Sequence, residues 1–200
     1  ATVVTVGGLV LLYSVWYMNR EPTLDLRRFA ALMNLFIAGM LTVVFAGDSV
    51  VMFLGWEIIG LCSFFLIGYY TEKPRALVGA RKAFIMTRIA DAALLAGLLL
   101  LFLEAGSVRF EELIPAGAAM EAERRAIVAS LLLVGALGKS AQLPLQTWLP
   151  TAMVGPTPVS ALLHSATMVA AGAFLLARLS PVFETAEGVS AATAVLGLAT

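Results

Sequence analysis

The stretch AIVASLLLVGALGKSAQLPLQTWLP, residues 126–150, decides the fold. It is uncharged from Ala126 to Gly138 and then carries one lysine, Lys139, fourteen residues after Arg125 and eleven before Pro150. At about 1.5 Å per residue Lys139 lies roughly 21 Å from Arg125. That is near the middle of a hydrocarbon core about 30 Å thick. Gly135, Gly138, Pro144 and Pro150 interrupt the same run. A proline inside a helix removes a backbone hydrogen bond and clashes with the carbonyl four residues earlier. The spacing therefore predicts a membrane helix broken near 138–150, with Pro144 and Pro150 as the breaks. In lipid such a break survives only where polar groups satisfy the freed carbonyls, and Ser140, Gln142, Thr147 and a local water are the candidates. Broken helices at the midplane build ion sites in transporters, whereas the plainer alternative is a proline kink that serves packing.

Outward from this stretch the chain repeats the pattern. Of its 200 residues 60% are hydrophobic and 13% charged, with a mean hydropathy of +0.94, which excludes an ordinary soluble globule and a disordered chain. Residues 1–19 and 29–47 carry no charge; further apolar runs cover 49–70, about 77–103, 126–153 and 159–177, and another begins at Gly188. Polar connections separate them at 19–28, at Gly47-Asp48, at 69–74 and at 104–125, the last containing Glu104, Glu111, Glu112, Glu121 and Glu123. The expectation is an all-α polytopic transmembrane bundle of about seven spans, the first and last incomplete. Residues 1–200 then form one membrane domain, a piece of a longer chain without an N-terminal signal peptide.

Charge bounds the partners. Thirteen basic residues balance thirteen acidic ones, so no excess exists to bind nucleic acid. One cysteine, Cys62, excludes an internal disulfide and cannot hold an iron–sulfur cluster, and one histidine makes a protein-built metal site a poor prospect. Arg20, Arg27, Arg28, Lys73, Arg75, Arg81 and Lys82 fall on one side of the alternating spans, and Arg109, Arg124, Arg125 and Arg178 on the other. By the positive-inside rule the first side is cytoplasmic, or matrix in an organelle. Tyr13, Trp16, Tyr17 and Tyr69-Tyr70 then sit at that interface, as belt residues or as packing residues. Gly138-Lys139-Ser140 resembles the end of a phosphate-binding loop, but Leu133 stands where that pattern needs glycine.

The chemistry lies in charges placed inside apolar runs. Glu57 is nine residues beyond Asp48, roughly 13 Å deep, and Arg88 and Asp91 are about 9 and 13 Å beyond Lys82. With Lys139 these make two acids and two bases. Four unpaired charges facing lipid would cost about 10 to 14 kcal/mol, so they face the protein interior and pair, or lie beside water. Arg88 and Asp91 share a helix face and can pair locally or offer one member to a neighbour. Glu57 and Lys139 stand on different helices and can pair between them. The static alternative is that all four fix helix register. A buried lysine beside a movable carboxylate is instead a proton site that loads and empties. His164, with Ser160, Ser165 and Thr167 nearby, is the one side chain that ordinarily titrates near neutrality and is a relay candidate.

These residues carry a resemblance. Gly138-Lys139-Ser140-Ala141-Gln142-Leu143-Pro144-Leu145-Gln146-Thr147-Trp148-Leu149-Pro150, followed by Gly155-Pro156-Thr157-Pro158 and Ser160-Ala161-Leu162-Leu163-His164, resembles the antiporter-like subunits of respiratory complex I. Gly55-Trp56-Glu57-Ile58-Ile59-Gly60-Leu61-Cys62-Ser63, with Thr87-Arg88-Ile89-Ala90-Asp91, looks like the L-type, or chain 5, branch; large subunits of multisubunit sodium/proton antiporters share much of the pattern. The resemblance implies that Glu57 is the intramembrane glutamate and Lys139 the lysine of the broken helix. It further implies that His164 begins a relay to a second half-channel and that Arg88 and Asp91 are a supporting ion pair. It implies proton translocation within an NADH:quinone oxidoreductase, with no metal and no cofactor in this chain. Flavin, iron–sulfur clusters and quinone are then held by partner subunits, and the partners are other membrane-arm subunits and the lipid bilayer. The implied location is integral to a membrane, and ten arginines against three lysines favour the bacterial inner (plasma) membrane over the mitochondrial inner membrane.

Overall fold

A computed structural model describes residues 2–20 and 25–200, the side chains of residues 165 and 166 excepted. Residues 21–24 of the expected 19–28 turn, and the Ser165 side chain proposed beside His164, therefore lie outside the described residues. The helices are α1 (Thr2–Met18), α2 (Leu26–Phe45), α3 (Ser49–Ile67), α4 (Pro74–Ala105), α5 (Phe110–Ala119), α6 (Ala122–Lys139), α7 (Trp148–Ala152), α8 (Thr157–Ala161), α9 (Met168–Arg178), α10 (Ser180–Glu184) and α11 (Glu187–Ala199), with a π-helical turn, Leu162–Ala166, between α8 and α9. By length and composition, four of the described segments can cross a membrane: Leu26–Phe45, Ser49–Ile67, Pro74–Ala105 and the 22-residue run Thr157–Arg178. α1 and α11 are shorter apolar helices, and α6 leads into the break. The architecture is the expected all-α polytopic bundle.

Local chemistry sets the helix ends. Asp25 caps α2 by accepting from the backbone N–H of Arg27 and Arg28, and Asp48 caps α3 by accepting from Val51 at 2.8 Å. Each satisfies donors that a helix start leaves open. Pro74 begins α4, where its missing N–H is no loss.

Two small residues bring the central helices into close contact. A Cβ on Gly55 of α3 would stand 2.8 Å from the Gly39 carbonyl oxygen of α2, and one on Gly135 of α6 would stand 2.6 Å from Leu94 Cβ of α4. α3 is thereby held against α2 and α6 against α4, and Trp56, Ile59, Leu94 and Leu132 are fully buried. The chain ends of these helices cluster alternately. At one end Tyr69 Oη donates to the Asp25 carbonyl at 2.5 Å. At the other, Asp48 and Arg109 form an antiparallel bridge, and Arg178 donates to the carbonyls of Val43 and Ala46.

Three expectations are corrected. The polar segment 104–125 is not simply a connection: it contains α5, which turns Phe110 and Leu113 into the core while Glu111 and Glu112 stay exposed. α6 already ends at Lys139, and Pro144 falls in the irregular stretch that follows. Pro150 breaks nothing, because it occupies the third position of α7, where no intrahelical N–H bond is due. The run 159–177 is not one continuous helix but is interrupted by the π-turn around His164. Of the two roles left open for Tyr69, the structure shows packing: it is 6% exposed and edge-on to Phe29 at 5.3 Å.

Candidate proton site

Three helices deliver four charges to one place. Asp91 faces inward from α4, and the last residue of α6, Lys139, meets it: Nζ lies 3.3 Å from Oδ2. One turn earlier on α4, Arg88 reaches across to α3, where it pairs with the Glu57 carboxylate and its Nη2 donates to the Glu57 carbonyl at 3.4 Å. The pairing differs from the sequence expectation. Arg88 and Asp91 share a face but not a bond, and Lys139 pairs with Asp91 rather than Glu57. The reason is geometric, since both α4 residues point into the seam between α3 and α6 and each finds a partner of opposite sign directly across it.

The two pairs differ in environment. Lys139 and Asp91 side chains are 0% and 2% exposed, whereas Arg88 and Glu57 are 31% and 24% exposed. The first is a buried pair, in which removing either partner strands a charge; the second reaches a more open edge of the bundle.

Trp56 completes the Asp91 environment, its Nε1 donating to Asp91 Oδ1 at 2.6 Å while its ring lies 5.7 Å from Lys139 Nζ. An acceptor held by a cation on one oxygen and an indole N–H on the other is fixed in orientation. In the sequence Trp56 stands only as part of the Gly55–Ser63 motif. Its place immediately before a buried glutamate, on a helix that must bury one face, was the available signal.

The break after Lys139 is organised by Trp148. Its indole N–H donates to the Gly138 carbonyl at 2.9 Å, while the N–H of Ser140 and Gln142 turn back to Ala136 and Leu137. The side chains expected to serve these carbonyls go elsewhere: Ser140 donates to Val169 at 2.7 Å and Thr147 to Met86 Sδ at 3.5 Å, and Gln142 Oε1 has no partner among the described residues. Ala141, two residues past Lys139, adopts a left-handed φ of 50°, a strained conformation for a residue with a Cβ.

His164 lies on the far side of Trp148, ring centroids 6.0 Å apart in an edge-on arrangement. Its Nδ1 and Nε2 are both buried without a hydrogen-bond partner among the described residues. The π-turn carrying it closes with Thr167 Oγ1 donating to Leu162 at 2.6 Å. A π-turn widens a helix and is frequent at functional sites. The structure thus brings Glu57, Arg88, Asp91 and Lys139 together and sets His164 beyond an indole from the lysine-bearing helix end.

The fold is that of a polytopic helical membrane protein, here with a buried Lys–Asp pair at a helix break. Comparison with known proteins narrows this. The profile of the family described as NADH:quinone oxidoreductase/Mrp antiporter, transmembrane, matches residues 46–200. The chain belongs to that family and is an integral membrane protein. It is 44% identical over 198 residues to NADH-quinone oxidoreductase subunit L of Mycobacterium tuberculosis, covering 98% of this chain and 30% of the relative. To the subunit L of Escherichia coli (strain K12) it is 47% identical over 186 residues, covering 92% of this chain and 30% of that one. A chain in the Mrp complex structure from Dietzia sp. DQ12-45-1b superposes with a TM-score of 0.73 at 40% identity, over 81% of this chain and 18% of that chain. The chain thus spans about 30% of the length of these curated relatives.

Proposed function

We propose that this chain is part of a proton-translocating membrane subunit of an NADH:quinone oxidoreductase in a bacterial plasma membrane. It works beside other membrane-arm subunits that hold the flavin, iron–sulfur clusters and quinone. The observation that carries the proposal is the buried Lys139–Asp91 pair next to the more open Arg88–Glu57 pair, at the end of a helix that stops in mid-bundle.

While Asp91 faces Lys139 the ammonium has a counter-charge and holds its proton. When Lys139 and Asp91 part, a full charge remains in an apolar interior, which is costly. Lys139 then relieves it by breaking an Nζ–H bond, the electron pair staying on nitrogen and the proton passing, through water, to a ring nitrogen of His164. Glu57 takes part through Arg88: whatever draws Arg88 off Glu57 changes the charge beside Lys139 and biases the release. The driving force is redox chemistry in the partner subunits.

The test is Lys139→Ala in the full-length subunit within the intact complex, reading protons translocated per NADH oxidised in sealed vesicles. Reduced yield in an assembled complex supports the proposal, and an unchanged yield returns the four charges to a structural role. The likeness to a chain of an Mrp complex supports a second reading, a sodium/proton antiporter subunit. Transport that depends on sodium in the same vesicles favours that reading.

A further inference from the structure

Gly60 stands one turn along α3 from Trp56 and Glu57, on the face turned to the charged seam. A Cβ placed on it would lie 2.7 Å from Lys139 Nζ and 3.5 Å from Arg88 Nη2. The missing methyl group therefore leaves room beside both cations, Lys139 paired with Asp91 of α4 and Arg88 with Glu57 of α3. We propose that Gly60 is a positioning residue for proton transfer, its bare backbone providing the space through which the Lys139 ammonium moves between Asp91 and the Arg88–Glu57 pair. The proposal rests on Lys139 being the proton carrier.

The obstruction a side chain would create is specific. Non-bonded carbon contacts settle at about 3.5 to 4.0 Å, so a methyl group at 2.7 Å forces the ammonium back by on the order of 1 Å. The nearest atoms in its way are the ends of two flexible side chains, which yield without moving a helix. Lys139 is displaced away from Gly60 on α3, and so is kept from the Arg88–Glu57 side. A shift of about 1 Å at a reacting group can cost on the order of 100-fold in rate. Gly55, one turn earlier on α3, makes the contrasting case: a Cβ there meets backbone, the Gly39 carbonyl oxygen at 2.8 Å and the Val43 nitrogen at 2.9 Å. Its substitution presses α3 against the α2 backbone rather than against Lys139 and Arg88.

The experiment uses the intact complex in sealed vesicles, with protons per NADH measured across a pH series and normalised to the assembled complex. The yield lost in Lys139→Ala defines this chain's share. Gly60→Ala and Gly60→Ser are expected to lose most of that share and to shift its pH dependence, while Gly55→Ala lowers the amount of complex but keeps the wild-type yield. Wild-type yield and pH dependence in either Gly60 variant overturn the proposal, and so does failure of both to assemble, which makes Gly60 a packing position. If Lys139→Ala itself loses nothing, the proton-carrier reading falls first. If Lys139→Ala loses yield and the Gly60 variants do not, only the role of Gly60 falls.

Discussion

Lys139 Nζ lies 3.3 Å from Asp91 Oδ2, so the buried lysine takes its counter-charge from α4 and leaves the α3 glutamate to Arg88. This crossed arrangement predicts unequal couplings. In double-mutant cycles on the full-length subunit, Asp91→Asn with Lys139→Met is expected to show a coupling of about 1 to 3 kcal/mol, and Glu57→Gln with Lys139→Met a smaller one. Equal couplings for the two acids, measured from thermal unfolding of the purified protein, contradict the pairing.

The Trp56 indole holds the second oxygen of Asp91 at 2.6 Å. Trp56→Phe keeps the buried ring and removes the donor. A hydrogen bond to a charged group contributes about 1.5 to 3 kcal/mol, and a loss of that size is expected in unfolding of the full-length protein. Wild-type stability in Trp56→Phe shows that Asp91 does not depend on the indole.

Trp148 is the cap of the broken helix. Trp148→Phe removes the N–H that serves the Gly138 carbonyl, and a buried acceptor left alone costs about 1 to 3 kcal/mol. Faster backbone hydrogen exchange at residues 136–142, with exchange in α2 unchanged, is the expected signature. Unaltered exchange there shows that the break does not depend on the indole.

Tyr69 lies outside the spans, and its phenol is pushed above its ordinary value of 10.0 by burial first and then by the nearby Asp25 carboxylate, against a smaller opposing effect of Arg28. The folded state therefore favours the neutral phenol. The stability this provides is fully present below the unfolded value and is lost as pH rises through the folded one. Wild-type thermal stability is expected to fall above about pH 10 with a component that Tyr69→Phe removes. The same alkaline slope in both proteins refutes the assignment.

The membrane bundle was legible because uncharged runs such as 29–47 have few other uses, and the site was legible because charges at 57, 88, 91 and 139 have no place facing lipid. Which acid meets which base was not. Residue spacing fixes depth, but partner choice depends on rotation of α3, α4 and α6 about their axes, set by contacts such as Leu94 against Gly135. The π-turn at Leu162–Ala166 was hidden because the residues between Val159 and Thr167 include neither proline nor glycine, and only the cluster of Ser160, His164, Ser165 and Thr167 marked it as unusual. α5 was hidden by the five glutamates of the 104–125 segment, two of them its own, which masked the inward pair Phe110 and Leu113. Proline gave the right interruption and the wrong limits, since helix position decides whether a missing N–H matters.

The central claim is that Lys139 gives up and regains a proton, and Lys139→Arg tests it most directly. Arginine keeps the positive charge and can still pair with Asp91, yet it is not deprotonated in proteins. In the intact complex assayed in sealed vesicles, Lys139→Arg is predicted to assemble and oxidise NADH while losing as much proton translocation as Lys139→Ala. Wild-type translocation by Lys139→Arg would show that the site needs only a fixed charge and would contradict the account.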